Sequence, residues 1–312
     1  MFQTYVFFGG DLMLKYIVKR LLTLIPVIFI ISIVILGTVK GMPGDPVDAY
    51  LGLGSKATTE QKQQIREELG LAKSLPEQYV IWGGNLAKGE LGTSTKFKLR
   101  VSEIIGDYVW NTFLLNLVSL VIGIGLSIPI GIKQATKKFS KFDNFWTVFS
   151  LLGVSVPTFF FALILIFFVA LPSGVIPVNG MRTPDLAVFG YDNIFQEIGD
   201  VALHMLLPTI VLAFGNFATF SRYVRSSMID VINQDYVRTA RAKGLKEKTV
   251  IYRHAFNNAL IPLVTLLGLY IPSLFSGTMI PESVFLWPGL GQLLSAAISA
   301  QERRIILACP TF

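Results

Sequence analysis

Residues 109–132 read VWNTFLLNLVSLVIGIGLSIPIGI, twenty-four consecutive positions without a charged side chain. A helix needs about 20 apolar residues to cross the hydrocarbon core of a bilayer. A helix that is apolar on every face over such a length is either a membrane span or the centre of a very large soluble core. The composition of the 312-residue chain decides between them: 52% of residues are apolar and only 15% charged, where a soluble domain carries about 25% charged. The mean hydropathy of +0.59 agrees. A soluble enzyme is therefore excluded first.

Outward from this stretch the same pattern recurs. Residues 21–39 are uncharged and follow Lys15, Lys19 and Arg20. Residues 144–171 form another such run, closed by the loop signals Pro172, Gly174 and Pro177. Residues 201–221 follow, and then 254–281, whose span proper is expected to start near Ala259. About five transmembrane helices result, in an all-α polytopic fold. A further uncharged stretch, 283–301, contains Trp287-Pro-Gly-Leu-Gly291, which breaks a helix in its first half. Non-helical backbone at membrane depth has to be buried in protein, so this stretch reads as re-entrant or interfacial. The first run is too long for a signal-peptide core and no small-residue cleavage site follows it, so it reads as a retained helix. Met1 to Leu12 form a weak extension, with Met13 an equally good start.

Basic residues orient the chain. With the amino terminus in the cytoplasm, Lys15, Lys19, Arg20, the lysines 133, 137, 138 and 141, and the basic residues between Arg222 and Arg253 all lie inside, fifteen in total. The loop of residues 172–200 carries only Arg182 among four acidic side chains. Inner loops collect Lys and Arg. The excess of 27 basic over 20 acidic residues, +7, thus reflects topology and not nucleic-acid binding. One cysteine, Cys309, excludes an internal disulfide or a paired-cysteine zinc site, and two histidines leave little for a metal centre. His204 reads as a hydrogen-bonded residue beside Asp200 rather than a proton relay. Gly123, Ser127 and Gly131 recur every four residues, the mark of a close helix contact.

The organisation expected is an extension of residues 1–14, a first span at 15–39, an outer helical subdomain at 40–107, a transmembrane core at 108–300 and an atypical tail at 301–312. In the outer segment Thr58 and Gln61 form a capping box and Gly70 a stop, while Ser74, Pro76 and Glu77 open a second helix that runs to Lys88 and is closed by Gly89. In the inner loop Asp235 is placed to cap a helix from Tyr236 to Lys243 that Gly244 ends in a left-handed turn. Leu245-Lys-Glu-Lys248 opens the helix that leads into the last span. Val237, Ala240 and Gly244 share one face as a small-residue stripe, suited to a partner's groove or, on spacing alone, to anionic lipid.

The run Asp235-Tyr-Val-Arg-Thr-Ala-Arg-Ala-Lys-Gly244, with Asn258-Ala-Leu-Ile-Pro262 downstream, resembles the EAA loop of importer-type ABC permeases. Met42-Pro-Gly-Asp-Pro46, Leu91-Gly-Thr-Ser94 and Glu282-Ser-Val-Phe-Leu-Trp-Pro-Gly-Leu-Gly291 are similar to the B-type permease subunit of dipeptide and oligopeptide systems, over residues 13 to 300. The resemblance implies a pore-forming subunit without bond chemistry or cofactor, paired with a second homologous permease. It also implies two ATPase subunits docked on the cytoplasmic face and an extracytoplasmic solute-binding protein that delivers cargo. It assigns ATPase coupling to Asp235, Tyr236, Arg238, Thr239, Ala240, Arg241, Ala242, Lys243 and Gly244. Asp235 and Thr239 stand where the pattern often has glutamate and alanine. The sequence beyond Ala300 departs from the pattern, which continues with a further helix, so a sixth span is not expected and a truncated, non-functional permease is one alternative. A permease for nickel, glutathione or another solute is a second. An intramembrane protease is a third, disfavoured because no acidic residue lies within an expected span. No Gly-x-x-x-x-Gly-Lys-Ser/Thr loop is present for ATP hydrolysis.

The charge asymmetry generates a direct test. Cysteines placed at Ser140 and Lys246 are expected to resist an impermeant maleimide in sealed cells, while cysteines at Thr58 and Pro184 react. External labelling at Lys246 would reverse the orientation.

Overall fold

The computed structural model describes residues 5–41, 45, 47, 51, 57–68, 70–94 and 96–309. Met42, Pro43, Gly44 and Pro46 of the first motif, the choice of start at Met1 and the last tail residues, 310–312, lie outside the described residues. The chain forms two compact units, Met1–Glu103 with Ala297–Thr311, and Ile104–Ala296. The described residues are helical apart from turns and one isolated bridge between Thr93 and Arg100.

In the first unit α1 (Tyr5–Gly41) contains the apolar span Leu14–Gly41. Helices α2 (Thr59–Glu68) and α3 (Leu75–Ala87) follow the capping signals. Thr58 N–H donates to Gln61 Oε1 at 2.9 Å and Gln61 N–H donates back to Thr58 Oγ1 at 3.3 Å. Ser74 N–H donates to Glu77 Oε2 at 3.1 Å. Gly70 and Gly89 hold φ of +69° and +75°, the left-handed stops the sequence predicts. Tyr79 of α3 shares a 2.7 Å hydrogen bond with Ser32 of α1 and packs edge-on against Phe29. Asp45 pairs with Arg66 of α2. The tail is part of this unit: Lys96 N–H donates to Glu302 Oε2 at 2.9 Å and Arg304 Nη1 to the Thr93 carbonyl at 2.7 Å. Burial pushes the Cys309 thiol up to about 12.

The second unit is built on α8 (Ile194–Ile232), 39 residues long and capped by Asn193, whose side chain accepts from Gln196 N–H at 2.9 Å. Around it stand α4 (Val101–Thr136), α5 (Lys141–Ser155), α6 (Thr158–Ser173), the short α7 (Pro184–Phe189), α9 (Asp235–Ala242) and α10 (Glu247–Ser273). The short helices α11 (Met279–Val284) and α12 (Leu290–Ser299) follow, and α13 (Arg303–Ala308) returns to the first unit. Among the described residues four helices are long and apolar enough to cross a membrane, or five if α5 and α6 count as one broken span.

Two expected spans differ in detail. Residues 144–171 do not form one straight helix: α5 and α6 meet at a 105° bend. Val156, restrained by the proline that follows it, is extended at ψ 124°, and Pro157 opens the next helix. The helix of the last span opens at Glu247, within the expected Leu245–Lys248, and stops at Ser273 instead of 281. Gly277, at φ +73°, turns the chain there. In the stretch 283–301 Phe285 and Trp287 are at most 1% exposed, while Leu286 and Ile298 are 51% and 40% exposed, so its burial by protein is partial.

The small-residue contact of α4 is with α8. A Cβ on Gly123 would stand 2.6 Å from Asn216 Cβ and 3.0 Å from the Ala213 carbonyl, and one on Gly131 2.8 Å from Val224 Cβ. Ser127 between them is fully buried. On another flank of α8, a Cβ on Gly153 of α5 would lie 2.7 Å from Ala218 Cβ, and Ser150 hydrogen-bonds Ser221 at 2.9 Å. His204 is 5% exposed, with Nδ1 2.9 Å from the Asp200 carbonyl. Asp200 accepts from Thr183 N–H, Thr183 Oγ1 and Tyr191 OH at 2.6–2.8 Å. That is the hydrogen-bonded role expected of His204.

Gly131→Ala is expected to destabilise the purified protein by about 1–3 kcal/mol through overpacking. Gly125→Ala on the same helix, where nothing lies within 4 Å of the added Cβ, is expected to be neutral or mildly stabilising. Thermal unfolding in detergent separates them; equal midpoints would show that the α4–α8 contact relaxes freely.

Candidate functional site

The nine residues singled out in the 235–244 loop form one short helix and the turn that ends it. The helix begins one position earlier than expected: Gln234 is the extended residue before it, at φ −73° and ψ 151°, so Asp235 is its first residue and not its cap. A carboxylate there still faces the free N–H groups of the first turn. Thr239 Oγ1 donates to the Asp235 carbonyl at 2.9 Å. At the other end Gly244 N–H donates to the Arg241 carbonyl at 2.9 Å and Gly244 holds φ +75°, the left-handed turn predicted. Arg241 reaches across this turn to Glu247, with Nη2 to Oε1 at 2.9 Å and Nε 3.2–3.3 Å from both oxygens. That hydrogen bond raises the Arg241 pKa above its ordinary value. The turn is thus fixed by a bidentate ion pair between the end of α9 and the first residue of α10.

The orientation of α9 corrects one expectation. Val237 and Ala240 are 0% and 5% exposed and face this chain's own core. They pack in a cluster with Val250, Ile251 and Ala255 of α10, Met228 and Val224 of α8, and Ile132 and Ala135 of α4. Val237 and Ala240 therefore fix α9 to the chain, while Gly244, the third member of the stripe, is exposed. Small side chains let α9 lie close to α10, whose segment Val250–Phe256 winds as a π-helix beneath it. The outward face is polar and basic. Asp235 and Arg238 side chains are 97% and 70% exposed, and Tyr236, Thr239, Ala242, Lys243 and Gly244 are exposed as well. Of the nine residues only Ala240 is buried.

Two buried carboxylate sites escaped the sequence reading. Asp143 of α5 takes a two-pronged ion pair from Arg225 of α8, with Nε to Oδ1 at 2.6 Å and Nη2 to Oδ2 at 2.8 Å. It also accepts Phe139 N–H at 2.9 Å, and its own N–H is capped by Ser140 Oγ at 3.2 Å. The Ser140-x-x-Asp143 spacing is a visible helix-start signal; the partner 82 positions away is not. This clamp holds the α4–α5 turn onto the stretch of α8 that runs into α9.

The second is Glu282, fully buried within α11. Its Oε1 accepts from Thr278 N–H at 2.8 Å, Thr112 Oγ1 at 3.1 Å and Thr278 Oγ1 at 3.2 Å. Its Oε2 accepts Gly291 N–H at 2.7 Å and Gln292 N–H at 3.2 Å, the free amides at the start of α12. Thr112 Oγ1 in turn accepts Leu290 N–H at 2.8 Å. Trp287 Nε1 donates to the Asn111 carbonyl at 3.1 Å, and Asn111 Nδ2 to the Pro288 carbonyl at 2.9 Å. A Cβ on Gly289 would strike the Glu282 carboxylate and Thr112 Oγ1, and one on Gly291 would stand 2.5 Å from Met279 N. The glycines of the Trp-Pro-Gly-Leu-Gly motif thus make room for a carboxylate whose partner helix is 170 residues away in sequence. Among the described residues no group of His, Cys, Asp and Glu is arranged to hold a metal ion.

A family profile described as binding-protein-dependent transport system inner membrane component matches residues 127–311, and its N-terminal companion matches residues 13–111. The first match includes α9, α11 and α12. The chain is 39% identical over 297 residues to an oligopeptide transport system permease protein, AppB, of Bacillus subtilis, covering 95% of this chain and 91% of that one. It is 34% identical over 312 residues to a dipeptide transport system permease protein, DppB, of Escherichia coli K12, covering 94% and 90%. A glutathione transport system permease protein, GsiC, of Pectobacterium atrosepticum is 34% identical over 296 residues, covering 95% and 90%. With both profiles matched along the chain and relatives covered almost end to end, this all-α, multi-pass protein belongs to the family of binding-protein-dependent transport system inner membrane components.

Proposed function

We propose that the chain is the permease subunit of a peptide importer. It lines, together with a second homologous permease, a path that opens alternately to the two sides of the cytoplasmic membrane. Two ATPase subunits bind at the inner face and supply the energy, and an extracytoplasmic solute-binding protein delivers the cargo. Its amino terminus lies in the cytoplasm, by the asymmetry of its basic residues. Peptides are the cargo class that joins the relatives, whose names specify oligopeptides, dipeptides and glutathione, itself a tripeptide.

The observation that carries the coupling assignment is α9. It is packed to the chain on one side by Val237 and Ala240 and open on the other, where Arg238, Thr239, Lys243 and Gly244 are exposed. A short helix seated this way moves with α10 when pushed, and its exposed face is what a partner would push. The basic outward face suits an acidic rim on the ATPase.

The test is charge reversal on that face. Arg238→Glu with Lys243→Glu leaves the buried residues untouched, so the chain should reach the membrane at normal levels. Like-charge contact at an interface costs several kcal/mol, and recovery of the ATPase subunits with the chain is expected to fall at least about tenfold, with uptake of peptide falling alongside. Gly244→Ala is expected to be milder. Nothing lies within 4 Å of the added Cβ, and a left-handed backbone costs a residue with a side chain on the order of 1 kcal/mol. Undiminished recovery and uptake in the double reversal would leave α9 an ordinary solvated helix.

A further inference from the structure

We propose that Glu282 is a positioning residue of the transport cycle, a latch that ties the segment following α10 to α4 at Thr112, so that movement of α9 and α10 reaches that end of α4 as well as the end near Ile132 that α9 touches directly. The inference rests on the coupling role proposed for α9. It is carried by the fact that both ends of α10 are tied to other parts of the unit by specific bonds.

At its first residue α10 is held to α9 by the Arg241–Glu247 ion pair, and over Val250–Phe256 by the packing of Val237 and Ala240. At its last turn the carbonyls of Ser273 and Leu274 both accept from Asn116 Nδ2 of α4, at 3.3 Å. Four residues further, Thr278 gives its N–H and its hydroxyl to Glu282, and Thr112, one helical turn from Asn116 on α4, gives its hydroxyl to the same oxygen. The other carboxylate oxygen holds the start of α12. One fully buried side chain therefore joins α4 at Thr112, the start of its own helix α11 at Thr278, five residues past the end of α10, and the beginning of α12. A Cβ on Gly277 would stand 2.6 Å from Gly291 N, so the two backbones are in close contact at this junction.

The chemistry of the junction makes it selective. Each carboxylate oxygen accepts a backbone N–H, Thr278 on Oε1 and Gly291 with Gln292 on Oε2. An amide of the same shape must aim its NH2 group at one of these donors whichever way it turns, because glutamine offers one acceptor oxygen where glutamate has two. Glu282→Gln therefore preserves volume and breaks the latch on one side.

The experiment uses the assembled complex, with the chain, the second permease, the ATPases and the binding protein reconstituted in vesicles. Two ratios are read: ATPase subunits bound per chain, and peptide delivered per ATP hydrolysed. For Glu282→Gln the first ratio is expected to hold, since α9 is remote from the substitution. The second is expected to fall about tenfold, the scale of one or two lost hydrogen bonds to a charge. Hydrogen exchange in peptides spanning 286–295 should speed up, reporting release of the Gly291 and Gln292 amides. Thr112→Val removes one donor and the acceptor for Leu290 N–H and should act in the same direction, while Thr112→Ser restores both. Peptide per ATP within about twofold of the parent in Glu282→Gln, with faster exchange, overturns the latch. If Glu282→Gln fails to accumulate, Thr112→Val decides: an unchanged ratio leaves the residue a purely structural support and overturns the proposal. Failure of the parent chain itself to bind ATPases or deliver peptide would instead remove the coupling role of α9.

Discussion

The absence of side chains along three contacts of α8 is the constraint on which the second unit depends. Gly123 and Gly131 on α4 and Gly153 on α5 leave no space for a Cβ against Asn216, Val224 and Ala218. In lipid, apolar side chains gain little from leaving one apolar medium for another, so helices associate through close backbone approach and buried hydrogen bonds. Both operate here. The glycines bring α4 and α5 onto α8, and the Ser150–Ser221 bond and the Asp143–Arg225 clamp then fix the register of α5. Because α8 runs from the Asp200–His204 group at one end to the start of α9 at the other, its placement sets the position of α9.

The legible parts of this fold are those that local chemistry dictates. Capping boxes at Thr58 and Ser74 and the glycine stops at 70, 89 and 244 specify helix ends within a few residues, and the structure places them there. Uncharged length finds the apolar helices, but it cannot report a bend. Residues 144–171 are uncharged throughout, and the break at Val156–Pro157 depends on a pre-proline conformation that hydropathy does not register. The last span was placed too far along because uncharged residues beyond Ser273 belong to the Glu282 junction. That junction and the Asp143–Arg225 clamp were invisible because each pairs residues 82 to 170 positions apart.

Helix α9 shows the same division. Its boundaries and its glycine turn were readable from Asp235 to Gly244. Its orientation was not, because Val237 and Ala240 at helical spacing are compatible with facing a partner or facing inward. What decides is the neighbourhood: Val250, Ile251 and Ala255 of α10 offer an apolar seat beside α9, and burial there removes apolar surface from water. A helix of eight residues is too short to persist alone in water, so α9 owes its existence to that seat. The residues best suited to attract a partner are then the charged ones the seat leaves outside.

The polar junction at the far end of α10 follows from a different requirement. The backbone between Ser273 and Leu290 leaves the helical ladder twice, and at or near membrane depth unsatisfied N–H and C=O groups cost several kcal/mol each. Apolar packing cannot meet that demand. Asn116 takes two carbonyls, Asn111 takes one and offers one, and Glu282 accepts three backbone amides. A carboxylate is economical for this, since its two oxygens present about four acceptor sites and the positive end of α12 offsets its charge. The same bonds that satisfy the backbone also join α10 to α4. A loop at this depth cannot be left loose without breaking hydrogen bonds that no water replaces, and so the end of α10 is attached rigidly as a consequence of being buried at all.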